Sequence, residues 1–232
     1  MREEEHFKKL CSVVDTLLGE NGCAWDKAQT HESMRQNLLE ESYETAEAID
    51  QGDMPALCEE IGDLLLQVMM HSRVAEKAGN FCLADVMQGA ADKLVRRHTH
   101  IFAAEGQSSA LDSAQTAEEV EKIWEANKIK EKSLSNPVEN MRAVAKALPA
   151  LERAQKVIKR SGEDFSQEAL INELQKLLAS VNDENDEKLV KGSIMETCGR
   201  ILLLMAALST KMQINAEFSL TNAIQEFINK FE

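Results

Sequence analysis

Apolar residues recur at helical spacing along most of this 232-residue chain, as in the run Leu57, Ile61, Leu64, Leu65 and Val68. Only 3 prolines and 10 glycines interrupt the chain, and no segment shows a convincing strand pattern. Helices are predicted over residues 32–50, 55–78, 83–98, 116–132, 149–161, 167–181, 188–211 and 220–231. The predicted fold class is therefore all-α. Because short connections favour antiparallel neighbours, we expect an antiparallel helical bundle.

The charge balance argues against a protein that coats a nucleic acid polymer, because 26 basic and 40 acidic side chains give a net charge of −14. The longest apolar run covers only residues 201–208, whereas a membrane span needs about 20 residues. The first residues are too acidic for a secretory signal, and five cysteines without a C-x-x-C pair support neither disulfides nor a zinc ribbon. We therefore expect a cytoplasmic protein with free thiols that binds no membrane and no nucleic acid polymer.

A weak internal repeat divides the chain into two helical units, of which the second has diverged. An offset of 137 residues aligns the later helices of each unit, and an offset of 132 residues places Glu41 on Glu173. The segment 133–138, which contains Asn-Pro, is predicted to be a linker between the units. The aligned pairs include Glu59 with Glu196, Gly62 with Gly199, Phe81 with Phe218 and Lys93 with Lys230.

The second unit has lost acidic residues that the first unit carries. In this alignment Glu40, Glu44, Glu60 and Asp63 correspond to Asn172, Lys176, Thr197 and Arg200. The acidity is also uneven, because residues 1–149 carry a net charge of −11 and residues 150–232 a net charge of −3. A surface tolerates such exchanges, but a site built around a cation does not. We therefore expect the chemistry in the first unit.

The acidic residues of the first unit are spaced to converge. Glu40, Glu41 and Glu44 share one region of a predicted helix, and Glu60 with Asp63 repeat the i, i+3 spacing on the next helix. A short turn between antiparallel helices would bring both groups together. Carboxylates without cysteine or histidine suit Mg²⁺ or Mn²⁺ rather than zinc. A solvated helix face is the alternative interpretation.

Basic and aromatic residues supply the complementary groups. Lys93, Arg96 and Arg97 lie near the end of a predicted helix, where they could hold phosphate oxygens or simply satisfy the helix C-terminus. Trp124 and Lys128 have i, i+4 spacing on a later helix. The tryptophan could stack on a base while the lysine meets a phosphate, or it could belong to a helical core.

Five ordered blocks, NGCAWDKAQT, LLEESYETAEAID, LCEEIGDLLLQV, DKLVRRHTHIF and IWEANKIKEK, resemble the MazG family of nucleoside triphosphate pyrophosphohydrolases over residues 4–132. The tandem arrangement also resembles the two-domain members of that family. The resemblance implies an all-α bundle, usually a homodimer, that converts a nucleoside triphosphate (NTP) and water into the monophosphate and pyrophosphate with Mg²⁺. The chain departs from the family pattern at Ala24 and Thr99, where a proline is typical.

The resemblance also implies a role for each candidate residue. Metal ligands would be Glu41, Glu44, Glu60 and Asp63, and Glu40 would orient water or support the ligands. Lys93, Arg97 and Lys128 would hold the phosphates, with Arg96 beside them, and Trp124 would contact the base. Residues 1–132 would form the catalytic domain. Residues 139–232 would form a catalytically inactive domain that serves stability or dimerisation.

Other functions remain open at this stage. A helical scaffold or nucleotide-binding dimer that has lost activity would keep the bundle but not the metal dependence. A di-iron bundle needs two inward E-x-x-H motifs, and only Glu3 with His6, at a terminus expected to be mobile, has that spacing. Hydrolases of dUTP or phosphoribosyl-ATP share the acidic motifs, but the blocks RRHTHIF and NGCAWD favour the MazG type.

Overall fold

The computed structural model describes residues 2–99, 101–102, 116–117, 119–120, 122–124, 127, 136–181 and 191–231. Contacts divide the chain into two compact units, residues 1–124 and 125–232. All regular elements within the described ranges are helical, which confirms the all-α class. None of these helices combines the length and the hydropathy that crossing a membrane would need. The assignment of residues 1–132 and 139–232 to a catalytic and a structural domain stays a prediction.

The first unit begins with a helix that the sequence patterns did not predict. Its helices are α1 (Arg2–Leu18), α2 (Ala24–Lys27), α3 (Arg35–Gln51), α4 (Met54–Lys77) and α5 (Leu83–Arg97). Val14 of α1 is fully buried and packs in one core with Met69 and Met70 of α4. Arg73 of α4 holds α1 through an ion pair from Nε to Asp15 Oδ1 at 2.8 Å. The amino-terminal segment, expected to be mobile, is therefore part of the fold.

A two-residue connection folds α4 back along α3. Gly52 ends α3 in the left-handed conformation, with φ of 68°, which glycine adopts without steric cost. The next residue, Asp53, caps α4 by accepting a hydrogen bond at 3.1 Å from the backbone N–H of Ala56. Pro55 stands in the first turn of α4, where its missing N–H is not needed. This helical hairpin positions the candidate site.

Two helix starts lie near the boundary between the units, at residues 116 and 137. The expected capping box at residue 116 is present, because Thr116 Oγ1 accepts from the N–H of Glu119, and the Glu119 carboxylate accepts from the N–H of Thr116. Helix α6 (Pro137–Arg142) begins within the last two residues of the segment 133–138, whose role as a linker stays a prediction. Asn136 starts this helix by accepting a hydrogen bond from the N–H of Val138 at 2.9 Å.

The second unit is built around a central helix. After α6 come α7 (Ala150–Ser161), α8 (Gln167–Val181), α9 (Lys191–Lys211), α10 (Ala216–Ile228) and a short 3₁₀ helix (Asn229–Phe231). Helix α9 packs against α7 and α8. The predicted start of the last helix at residue 220 is four residues too late. Asn215 caps it by accepting from the N–H of Phe218 at 3.0 Å, which opens the helix at Ala216.

Candidate metal centre

The hairpin turn sets the position of each carboxylate along the two helices. Glu41 lies ten residues before the end of α3, and Asp63 lies nine residues after the start of α4. At a rise of about 1.5 Å per residue, each is about 13 to 15 Å from the turn, so the two lie opposite each other. Glu44 and Glu60 form a second opposed pair, seven and six residues from the turn.

Three of the five predicted carboxylates meet at one point. One oxygen from each of Glu41, Glu60 and Asp63 lies within 4.8 Å of the other two. All three side chains are half-buried, whereas Glu40 and Glu44 are exposed. We call Glu41, Glu60 and Asp63 the carboxylate cluster. The i, i+3 and i, i+4 spacing therefore located the site but did not show which of the five would form its centre.

Burial and like charges act together on the carboxylate cluster. Burial raises the pKa of Glu41 most, and neighbouring carboxylates, that of Asp63 foremost, raise it further. Burial also raises the pKa of Glu60, followed by the charge of Glu44. In the described part of the chain, no lysine, arginine or histidine forms an ion pair with the cluster. No described basic side chain thus compensates the negative charge of the cluster through an ion pair.

A hard divalent cation fits the carboxylate cluster. Its ligand atoms are all carboxylate oxygens, which Mg²⁺ and Mn²⁺ prefer, and it contains no cysteine or histidine that would favour zinc. Burial and like charges raise the pKa of Glu41 and Glu60, and a bound cation would stabilise the ionised form of both. Among the described residues, no other group of three acidic, cysteine or histidine side chains converges in this way.

A second group of candidate residues forms at the end of α5. The guanidinium carbon of Arg97 lies 5.1 Å from the centroid of the Trp124 ring, which is a cation–π contact. The ring of His98 meets the same indole edge-on, with the centroids 4.9 Å apart. Trp124 is half-buried by these contacts. The structure therefore brings together Arg97 and Trp124, two residues predicted to bind different parts of a nucleotide.

The remaining basic candidates are less constrained by the structure. Lys93 and Arg96 are exposed on α5, and Lys128 lies outside the described residues. No hydrogen bond or ion pair connects any of the basic candidates to the carboxylate cluster within the described ranges. Within the described residues, the carboxylate cluster and the contact of Arg97 with Trp124 are thus not joined by a hydrogen bond or an ion pair.

The sequence patterns did not indicate a histidine pair on the same hairpin. Nδ1 of His31, just before α3, lies 2.8 Å from Nδ1 of His71 in α4, and the parallel rings have centroids 5.1 Å apart. One of these atoms must donate its proton to the other. Burial, followed by the charge of His31, lowers the pKa of His71. The two residues are 40 positions apart, so no local spacing signals their contact.

Comparisons with known proteins give a consistent family assignment. Residues 29–102 match the MazG nucleotide pyrophosphohydrolase domain. The chain is 31% identical over 229 residues to the nucleoside triphosphate pyrophosphohydrolase/pyrophosphatase MazG of Thermotoga maritima, covering 97% of this chain and 84% of that protein. It is 33% identical over 235 residues to the nucleoside triphosphate pyrophosphohydrolase of Escherichia coli K12, covering 96% and 84%.

A further relative has a different overall length. The uncharacterized protein YabN of Bacillus subtilis is 41% identical over 153 residues, which cover 66% of this chain but 30% of YabN. The domain match at residues 29–102 contains the hairpin with all five candidate carboxylates and the basic end of α5. These matches agree with the resemblance of the five sequence blocks. The chain belongs to the MazG nucleotide pyrophosphohydrolase family.

Proposed function

We propose that this chain is a Mg²⁺-dependent nucleoside triphosphate pyrophosphohydrolase that cleaves the bond between the α- and β-phosphates and releases the monophosphate and pyrophosphate. The observation that carries the proposal is the convergence of Glu41, Glu60 and Asp63 within 4.8 Å. The names of the Thermotoga maritima and Escherichia coli relatives support the substrate class. Mn²⁺ is expected to substitute for Mg²⁺, because it has the same preference for oxygen ligands.

The carboxylates are proposed to act as a group. Glu41, Glu60 and Asp63 would hold the metal, with Glu44 as a fourth ligand opposite Glu60. When bound, Mg²⁺ would offset the triphosphate charge, lower the pKa of the attacking water and stabilise the leaving pyrophosphate. Glu40 lies at the edge of the group, where it accepts a hydrogen bond at 3.2 Å from Nε2 of Gln36. From there it is proposed to orient the attacking water.

The group at the end of α5 is proposed to bind the rest of the nucleotide. Lys93, Arg96, Arg97 and Lys128 would hold phosphate oxygens that the carboxylate cluster repels. Trp124 would stack on the base, and its contact with Arg97 orients both side chains before substrate arrives. A carboxylate cluster without cations would repel a triphosphate, so loss of metal should weaken substrate binding as well as turnover.

The second unit is proposed to be inactive and to serve stability or dimerisation, in a chain that forms a homodimer of tandem helical units. Arg200 stands where Asp63 stands in the first unit, so the set of metal ligands is incomplete. The homodimer is supported by an exposed apolar stripe on α4, formed by Ile61, Leu65 and Val68 at helical spacing. The expected mass in solution is that of two chains. A cytoplasmic location accords with the proposed substrate and stays a prediction.

A non-catalytic scaffold is the competing function. The repulsion within the carboxylate cluster argues against it, because a scaffold has no use for three close carboxylates to which the described residues supply no basic partner. The scaffold predicts that Mg²⁺ changes neither stability nor nucleotide binding. The pyrophosphohydrolase predicts that Mg²⁺ changes both.

The test is a panel of common NTPs and dNTPs with Mg²⁺, with pyrophosphate and orthophosphate measured separately. Pyrophosphate with monophosphate, blocked by EDTA and restored by added Mg²⁺, is the expected result. Orthophosphate as the first product would contradict the proposed bond. No product from any nucleotide, together with no thermal shift on adding Mg²⁺ and a non-hydrolysable analogue, would favour the scaffold.

Matched variants separate the two units. Glu41→Gln should lower the rate of hydrolysis more than tenfold, because loss of a metal ligand usually raises the activation free energy by more than about 1.4 kcal/mol. Glu173→Gln makes the same change at the aligned position of the second unit and should change the rate little. A large loss in Glu173→Gln would show that the second unit takes part in catalysis.

A further inference from the structure

An ion pair joins two helices of the second unit at the positions that align with the carboxylate cluster. Nη2 of Arg200 in α9 lies 3.0 Å from Oε1 of Glu173 in α8, across 27 residues of sequence. The alignment places Glu173 on Glu41 and Arg200 on Asp63. In the first unit an oxygen of Glu41 lies within 4.8 Å of an oxygen of Asp63, and in the second unit Glu173 and Arg200 form an ion pair. Both helix pairs therefore bring the aligned residues close together.

The contact differs in charge rather than in position. In the first unit two carboxylates face each other, and no basic side chain among the described residues forms an ion pair with them. In the second unit the carboxylate of Glu173 faces a guanidinium. Over the five aligned positions the formal charge changes from −5 to +1, because two glutamates become neutral, one becomes lysine and the aspartate becomes arginine. A divalent cation would be repelled where the first unit attracts it.

We propose that the guanidinium of Arg200 takes the place of the metal ion in the second unit, so that this unit keeps the packed helix pair of a metal site and needs no metal. The inference rests on the metal site proposed for the first unit. Arginine suits this role because it stays charged at all relevant pH values and forms directional bonds to a carboxylate. The first unit would thus obtain its positive charge from a metal ion in solution, whereas the second unit carries it on an arginine side chain.

The ion pair of Arg200 and Glu173 is largely exposed to solvent. The side chains of Arg200 and Glu173 are 55% and 46% exposed, and such surface pairs contribute little to the free energy of folding. Its consequence is instead the exclusion of a cation from an otherwise similar scaffold. The scaffold should therefore accept a metal again once the carboxylates are restored.

The test rebuilds the site in the full chain. Mn²⁺ binding is measured by electron paramagnetic resonance, first in wild type and then in Glu41→Gln/Asp63→Asn, which removes the first site. Adding Thr197→Glu and Arg200→Asp to that variant restores carboxylates at both aligned positions beside Glu173. The expected result is Mn²⁺ affinity at least tenfold higher than in the Glu41→Gln/Asp63→Asn parent.

A control variant isolates the effect of charge at position 200. Thr197→Glu/Arg200→Lys in the same parent keeps the cation and should bind Mn²⁺ no better than the parent. The inference is overturned if the carboxylate-restored variant keeps its helical circular dichroism but gains no Mn²⁺ affinity. A wild type that binds no Mn²⁺, or a parent that binds as tightly as wild type, would instead refute the metal site of the first unit.

A measurement on the wild type decides the matter if the rebuilt variant loses helical content. Amide hydrogen exchange is compared in EDTA and in Mg²⁺. Exchange in α3 and α4 should slow with Mg²⁺, while exchange in α8 and α9 should stay unchanged. Slower exchange in α8 and α9 on adding Mg²⁺ would show that the second unit responds to the metal. That result would contradict the inference that Arg200 replaces the metal there.

Discussion

Replacing Glu41 with glutamine should affect the stability of the protein in opposite directions with and without metal. The oxygen of Glu41 in the carboxylate cluster lies within 4.8 Å of an Asp63 oxygen, and two unit charges at this distance in water repel each other by about 0.9 kcal/mol. Glutamine has nearly the same shape and no charge. In EDTA, Glu41→Gln should therefore raise the melting temperature of the 232-residue chain by about 2–4 °C for about 1 kcal/mol.

Adding Mg²⁺ should reverse the order of the two proteins. A ligand present at a hundred times its dissociation constant adds about 2.7 kcal/mol to the stability of the state that binds it. Wild type should gain this amount, whereas Glu41→Gln should gain little because it lacks one ligand of the site. The assay is thermal unfolding followed by circular dichroism in EDTA and in excess Mg²⁺.

A control on the same helix separates the cluster from general surface charge. Glu47 lies on α3 but outside the carboxylate cluster, and its exposed carboxylate accepts a hydrogen bond from Gln51. Glu47→Gln should follow wild type in both conditions. If Glu41→Gln is less stable than wild type in EDTA and shifts normally with Mg²⁺, Glu41 supports the fold rather than the metal, and the reasoning is refuted.

Four further perturbations follow from the described contacts. Asp53→Ala removes the cap of α4 and should lower the free energy of unfolding in urea by about 0.5–2 kcal/mol. It should also weaken Mn²⁺ binding, because the turn aligns the carboxylates. Unchanged Mn²⁺ binding would refute that role of the turn. Met69→Ala opens a cavity in the core and should cost about 2–5 kcal/mol without altering the Mn²⁺ dissociation constant. Arg97→Ala should raise KM at least about tenfold, since a hydrogen bond to a charged group contributes about 1.5–3 kcal/mol, and a fall in kcat alone would place Arg97 elsewhere. Folding lowers the pKa of His71, so the imidazole is protonated in the unfolded chain before it is protonated in the folded chain as the pH falls below about 6.5. Wild type should therefore lose stability in that range, and His71→Gln should lose less. Equal losses would contradict the lowered pKa of His71.

The hairpin of the first unit could be predicted because its signals are local. Gly52 and Pro55 fix where one helix ends and the next begins, and the constant rise of a helix then places Glu41 opposite Asp63. Which three carboxylates form the centre could not be predicted. That depends on helix rotation and side-chain conformers, which bury Glu41, Glu60 and Asp63 and leave Glu44 exposed.

Two features were missed for different reasons. Helix α1 carries Phe7, Leu10 and Val14 at i, i+3 and i+7, so its signal was present but obscured by the acidic residues of its first turn. The pair of His31 and His71 has no sequence signal at all. The two imidazoles meet only because the segment before α3 folds against α4, which is a tertiary contact. Local patterns thus give the helices, and long-range packing decides the pairs.

The most direct test of the central claim follows the oxygen of the attacking water. The best substrate of the nucleotide panel is hydrolysed with Mg²⁺ in ¹⁸O-labelled water, and the products are analysed by ³¹P nuclear magnetic resonance and mass spectrometry. Attack at the α-phosphorus predicts label in the monophosphate and none in pyrophosphate, with no turnover in EDTA or in Glu41→Gln. Label in pyrophosphate or orthophosphate, or unchanged turnover in Glu41→Gln, would contradict the account.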